Sequence, residues 1–185
     1  MRRAPPHSPS AGRFASRAIV AALACACLAA CSDPIAVEPP GPDPIITQAA
    51  LEAGGFIEVS PCRPSHEHDL RHVRVVANLA AADRYRRCVL TARPDDPLCL
   101  EPFPEGALFV KYEYELPGCV PAELVSYTAN AKLAKGAFES GRDWRWQRIS
   151  PKFKVEEDGA PWRCLLCHID HCEPPYGHDL RCTPD

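Results

Sequence analysis

The cysteines constrain this chain more than any other residue type. Eleven in 185 residues is a density that points to an oxidising compartment, to a metal or cofactor site, or to both. Cys25 and Cys27 fall inside an N-terminal apolar run and Cys31 directly follows it. The body of the chain keeps Cys62, Cys88, Cys99, Cys119, Cys164, Cys167, Cys172 and Cys182. One pair stands apart: Cys164-Leu165-Leu166-Cys167-His168 is C-x-x-C-H, the attachment signature of c-type haem, in which two thiols add to vinyl groups and the adjacent histidine is placed to bind iron. Setting that pair aside leaves an even number compatible with three disulfides. Sequence proximity favours Cys88 with Cys99 and Cys172 with Cys182, while other pairings stay open.

Residues 1–30 carry Arg2, Arg3, Arg13 and Arg17 and no acid, and Ala18 to Ala30 is an apolar run too short to span a bilayer. This is the pattern of an export signal. It ends Leu28-Ala29-Ala30-Cys31, which looks like a bacterial lipobox whose cysteine is acylated and becomes the new N-terminus. Residues 33–44 contain five prolines, an extended spacer without a packed core. The expected organisation is therefore a lipoprotein signal over 1–30, lipidated Cys31 with a proline-rich linker over 31–46, and a haem-binding domain over 47–185. The lipid would hold that domain at a membrane facing the periplasm, and Ser32 after Cys31 favours the outer membrane. Beyond the signal, 17 bases face 24 acids, a net of −7, which excludes nucleic acid as an expected partner.

Period-two alternation predicts strands at 71–77, 107–115, 123–132 and 143–149, with a shorter one near 153–155. The clearest, at 107–115, places Leu108, Val110, Tyr112 and Tyr114 on one face and Ala107, Phe109, Lys111 and Glu113 on the other. Helices are expected at 47–53, at 79–88 behind an Asn78 cap, and at 162–171 around the haem motif. The fold class is α+β and β-dominant: an antiparallel sheet with a few short helices, the C-terminal one carrying the attachment motif.

Two other uses of the motif compete with haem. Zinc could take Cys164, Cys167, His171 and Cys172, although structural zinc usually draws ligand pairs from separated segments. A thioredoxin-like redox pair would need a βαβ setting that the strand pattern lacks. The only methionine is Met1, inside the signal, so a His/Met-ligated cytochrome is excluded for the mature chain. His171 lies one helical turn from His168 and would share its side of the iron. His66, His68, His72 and His178 remain for a second axial position. His66 and His68 read most simply as solvated loop residues, which leaves an open distal site as the preferred reading.

The order of motifs resembles the cytochrome P-460 family and its cytochrome c'-beta relatives. The residues that carry the likeness are His72-Val73-Arg74-Val75-Val76-Ala77-Asn78, then Phe103-Pro104-Glu105-Gly106-Ala107-Leu108-Phe109-Val110-Lys111. Tyr127-Thr128-Ala129-Asn130-Ala131-Lys132, Asp143-Trp144-Arg145-Trp146, and the C-x-x-C-H motif followed by Asp179 complete it. The resemblance implies one covalent haem c per chain, with Cys164 and Cys167 as attachment points and His168 as iron ligand. It implies that Lys111 cross-links to the ring and that Arg74 lies over the open haem face to orient substrate. Trp144, Trp146, Trp162, Phe109 and Tyr112 would pack the core or the haem edge.

By the same likeness the protein would oxidise hydroxylamine or NO and pass electrons to another cytochrome, as a possible homodimer. The c'-beta relatives imply instead gas binding without turnover. A bis-His electron carrier and a haem-free zinc or disulfide-stapled lipoprotein are further alternatives. The family's oxidising members can place a distal carboxylate shortly before the haem motif. Here that region reads Glu156-Glu157-Asp158-Gly159, where Gly159 cannot act as a base and Glu157 or Asp158 are the substitutes.

Overall fold

Six strands in unbroken sequential order make one antiparallel sheet. They are β1 (Phe56–Pro64), β2 (His72–Asn78), β3 (Leu108–Tyr114), β4 (Leu124–Lys132), β5 (Trp144–Ile149) and β6 (Val155–Gly159). The computed structural model describes residues 42–65, 68, 71–91, 96–159, 161–172 and 174–183. The signal segment, Cys31, the proline-rich residues through 41 and His66 lie outside them. The helices are α1 (Gln48–Glu52), α2 (Leu79–Tyr85), which continues as a π-helical turn over Arg86–Leu90, and α3 (Trp162–His171). A two-stranded ribbon, β7 (Gly177–His178) with β8 (Arg181–Cys182), follows.

Asn78 links helix and sheet. Its Oδ1 accepts from the Ala81 and Leu108 amides, both at 3.1 Å, and its Nδ2 donates to the Gly106 carbonyl at 2.8 Å. One side chain thus caps α2 and pins the turn that starts β3. Gly106 sits there at φ +79°, a conformation that favours a residue without Cβ.

Alternation divides the sheet into two faces. Val76, Val110, Tyr127, Ala129 and Ile149 form one buried cluster, joined by Ile46 and by Leu51 of α1. On the other face Ala77, Phe109, Trp144 and Trp146 pack against Ala81, Ala82 and Tyr85 of α2, with Phe103 and Leu180. Helix α3 joins this second face through Cys164, Leu165 and Ile169. Phe103 meets Phe109 and Trp144 edge-on, with ring centroids 5.4 and 5.7 Å apart, arrangements that add to the area they bury.

Three sequence expectations need correction. The alternation reading omits β1, because Pro61 and Pro64 interrupt it; β1 is an edge strand with register shifts between Glu58 and Ser60 and between Ser60 and Arg63, where proline is tolerated. The last strand begins at Val155, since Phe153 has φ +59° and belongs to the turn closed by its amide on the Ser150 carbonyl. Trp162 is 73% exposed at the start of α3 and does not pack the core.

Three cysteine pairs lie at bonding distance: Cys62–Cys119, Cys88–Cys99 and Cys172–Cys182, with Cα separations of 5.9, 5.2 and 4.2 Å. The two pairings favoured by proximity are both present. Cys62–Cys119 closes the longest loop, 57 residues, tying the edge strand to the β3–β4 connection. Removing it with C62A/C119A is expected to lower stability by about 4 kcal/mol on loop entropy, read from urea unfolding.

Candidate functional site: a polar cavity under the C-terminal helix

The face of the sheet that carries Phe109 is not uniformly apolar. Register places Lys111 opposite Thr128, Glu113 opposite Ser126 and Asn130 opposite both Phe109 and Trp146. These polar side chains therefore share one face, and Lys111, Glu113, Thr128 and Asn130 together with α3 line a cavity of about 600 Å³, within the size range of ligand pockets.

Helix α3 presents Cys164, Cys167, His168 and His171 to that cavity. Cys164 carries a free thiol that burial pushes above its ordinary pKa, the opposite of the activated thiolate of a redox pair. His168 packs edge-on against Trp146 with centroids 4.7 Å apart, and its Nδ1 lies 2.8 Å from the Leu180 carbonyl. A carbonyl can only accept, so Nδ1 carries the proton and Nε2 keeps its lone pair in the neutral ring. Burial, followed by the charge of Arg181, holds the imidazole pKa down at about 3, so the ring is neutral around pH 7. A protonated Nδ1 held by a backbone carbonyl is the usual support of a metal-ligating histidine.

Lys111 also lines the cavity. Its Nζ lies 3.1 Å from Glu113 Oε1 and 2.9 Å from His68 Nδ1. Burial lowers the amine pKa, with Glu113 opposing. Glu113 accepts from Arg71 Nη1 at 3.2 Å, Ser126 Oγ at 2.9 Å and Thr128 Oγ1 at 2.7 Å. Burial pushes its carboxyl up, but the Lys111 charge and these hydrogen bonds outweigh it and hold the pKa at about 2. Alternation puts Glu113 on the Lys111 face without giving it a role; the alternating Ser126, Thr128 and Asn130 of β4 are the signal that this face is built to hold charge. The expectation of a solvated His68 is corrected: bonded through its backbone to Ser65 and Arg71, it lies against Lys111.

Arg74 is not at this cavity. It pairs with Tyr112 in the register and so projects from the opposite face, with its guanidinium 4.8 Å from the Tyr112 ring centre and 4.0 Å from Glu58. The expected position over a ligand is corrected by the strand period itself, because Val73 and Val75 are the β2 residues that line the cavity. Glu157 lines it and pairs with Arg163. Asp158 is gripped by Arg145 through Nε and Nη2 at 2.8 and 2.7 Å. His178 lies at the Glu101 carbonyl and against Phe103. Asp179 is held by Lys132 at 2.8 Å and by the Phe103 amide at 2.9 Å, a structural role.

Among the described residues, His168, Cys172 and Cys182 alone come close enough together to resemble a metal site. Cys172 and Cys182 are disulfide-bonded to each other and cannot serve as thiolates, and the His168 nitrogen on their side is the protonated Nδ1. The zinc set of Cys164, Cys167, His171 and Cys172 likewise loses Cys172. What remains is a helix offering two cysteines and a neutral imidazole to one cavity, a donor set that fits a covalently attached haem c. No family model, curated protein or solved structure matches the chain.

Two outcomes are expected. In the folded chain Glu113 titrates near 2, against an ordinary value of 4.5; its stabilisation is therefore full above 4.5 and lost as the pH falls from 4.5 towards 2. E113Q leaves Lys111 buried without its counter-charge and is expected to cost about 3–5 kcal/mol at pH 7 and to flatten that acid limb in denaturant titrations. At Gly177 a methyl group would strike the backbone of Arg181 and Cys172. G177A is therefore expected to cost about 1–3 kcal/mol and to shift the His168 ring resonances in NMR spectra.

Proposed function

We propose that the protein is an exported, lipid-anchored, mono-haem c-type cytochrome that binds and oxidises small nitrogen species such as hydroxylamine or NO. The observation that carries this reading is the arrangement on α3: Cys164, Cys167 and His168 line one cavity, with the His168 Nδ1 proton committed to the Leu180 carbonyl. Cys164 and Cys167 would hold the haem through thioethers, each S–H adding across one vinyl C=C without net oxidation. His168 Nε2 would be the iron ligand. When bound, the group supplies an iron centre that takes small ligands and exchanges electrons.

The chain's own residues supply the surroundings. Trp146 fixes the ring orientation of His168, and the Leu180 carbonyl raises its basicity as a ligand. The Glu113 carboxylate stays charged at working pH and holds Lys111 in place. Lys111 and His68, in contact within the cavity, can hold or pass a proton there. Burial lowers the Lys111 pKa against the pull of Glu113, which eases loss of the proton to give the amine form that can bond to carbon. A bond from its Nζ to a ring carbon would release two protons and two electrons to an oxidant of the peroxide class. The membrane anchor through Cys31, the outer-membrane location and a partner cytochrome as electron acceptor belong to the proposal on the sequence pattern. Binding without turnover is a second reading, and the position of Arg74 on the opposite face favours it, because it removes the residue assigned to substrate orientation.

The test is to export the full chain into a periplasm equipped for c-haem attachment and record the spectrum of the dithionite-reduced protein. Covalent haem, lost entirely in C164A/C167A, is the expected result; colourless wild-type protein would overturn the proposal. A red-shifted, broadened Soret band that reverts to an ordinary haem c band in K111A would establish the cross-link. Reduction of the ferric protein by hydroxylamine or NO would then favour oxidation, and reversible NO binding without product would favour the second reading.

A further inference from the structure

Arg181 is 6% exposed and lines the cavity, yet makes no ion pair among the described residues. Its guanidinium is stacked among aromatic rings, 4.4 Å from Trp144, 4.6 Å from Trp146 and 5.4 Å from Phe109. Nη1 donates to Asn130 Oδ1 at 2.8 Å, while Nε and Nη2 have no hydrogen-bond partner. Burial lowers its pKa to about 10, which still leaves it charged at neutral pH. The Asp179 charge acts on it in the favourable direction but forms no ion pair with it; a buried cation without an anion in contact is costly, and the ring faces offset only part of that cost.

The neighbours repeat the pattern. Asn130 and Trp146 face each other in the register, are 4% and 3% exposed, and both line the cavity. Asn130 Nδ2 and Trp146 Nε1 also lack partners. The unpartnered atoms of these three residues are all N–H donors, so the matching ligand is an acceptor carrying negative charge. Its shape follows from the arginine: Nε and Nη2 form one edge of the guanidinium fork, the same edge with which Arg145 grips both oxygens of Asp158. That edge fits a planar carboxylate.

We propose that Arg181, with Asn130 and Trp146, forms a carboxylate-binding subsite on the buried side of the cavity. With haem attached at α3, the occupant is a haem propionate; this identification rests on the proposed function. A free small carboxylate would satisfy the same donors, and the experiment separates the two.

Full-length protein exported with the haem-attachment machinery is first assayed for haem as the pyridine haemochrome, which tests the proposed function by itself. The haem-bearing protein is then examined by resonance Raman in the propionate bending region, as wild type, R181M and R181K. A band that moves in R181M and returns partway in R181K supports a propionate occupant. In parallel, wild type and R181M are titrated with sodium formate by calorimetry. Formate binding that weakens about tenfold to hundredfold in R181M supports the subsite with a free carboxylate as occupant.

If the protein carries no haem, the proposed function fails and the formate titration alone decides the subsite. An unmoved propionate band together with no formate binding overturns the proposal, as does an unmoved band together with formate binding that R181M leaves unchanged. Should R181M fail to fold, N130D tests the same point. It places a carboxylate beside Arg181 at nearly constant volume, and is expected to reproduce the R181M result with a native circular dichroism spectrum. W146F, which keeps the ring and removes Nε1–H, is expected to give a smaller change in the same direction.

Discussion

The hydrogen bond between His168 Nδ1 and the Leu180 carbonyl decides what the cavity can do. It fixes the tautomer of a buried imidazole and so decides which nitrogen remains for a ligand. The bond joins two segments, α3 and the ribbon after it, and those segments are themselves tied by Cys172–Cys182. The close approach of Gly177 to the backbone of Cys172 and Arg181 makes the connection tighter still. A short covalent loop thereby holds together the imidazole, the carbonyl that orients it and the Arg181 guanidinium.

Charge is the second constraint. A sheet face that buries Lys111, Glu113 and Arg181 would be unfavourable in an ordinary core. Glu113 resolves half of the problem within the protein, drawing donors from Arg71, Lys111, Ser126 and Thr128. Arg181 is left with aromatic faces and one amide oxygen. The opposite face, built on Val76, Val110, Ala129 and Ile149, carries the hydrophobic packing that this arrangement needs.

Much of the fold was legible because its strands alternate cleanly. Lys111 and Glu113 were read onto one face, and Asn78 was identified as a cap from its place before an alanine-rich run. Two disulfides followed from sequence proximity. What escaped depended on partners distant in sequence. Arg74 looks equivalent to its neighbours until the register sends it to the Tyr112 face, and the proline-bearing β1 becomes a strand only because β2 supplies an edge. Arg181 carries no local sign of burial. The Cys172–Cys182 pairing, which proximity favoured, was the available hint, since it places residue 181 beside the helix that carries His168.

The central claim is that Cys164, Cys167 and His168 form a covalent haem site within this cavity. Intact-mass spectrometry of the full chain exported in the presence of the attachment machinery tests it most directly, with peptide mapping of the modified residues. The expected result is a mass gain of one haem, located on the peptide containing Cys164 and Cys167, with Cys62–Cys119, Cys88–Cys99 and Cys172–Cys182 as disulfides. An unmodified mass, or haem released on denaturation, would contradict it.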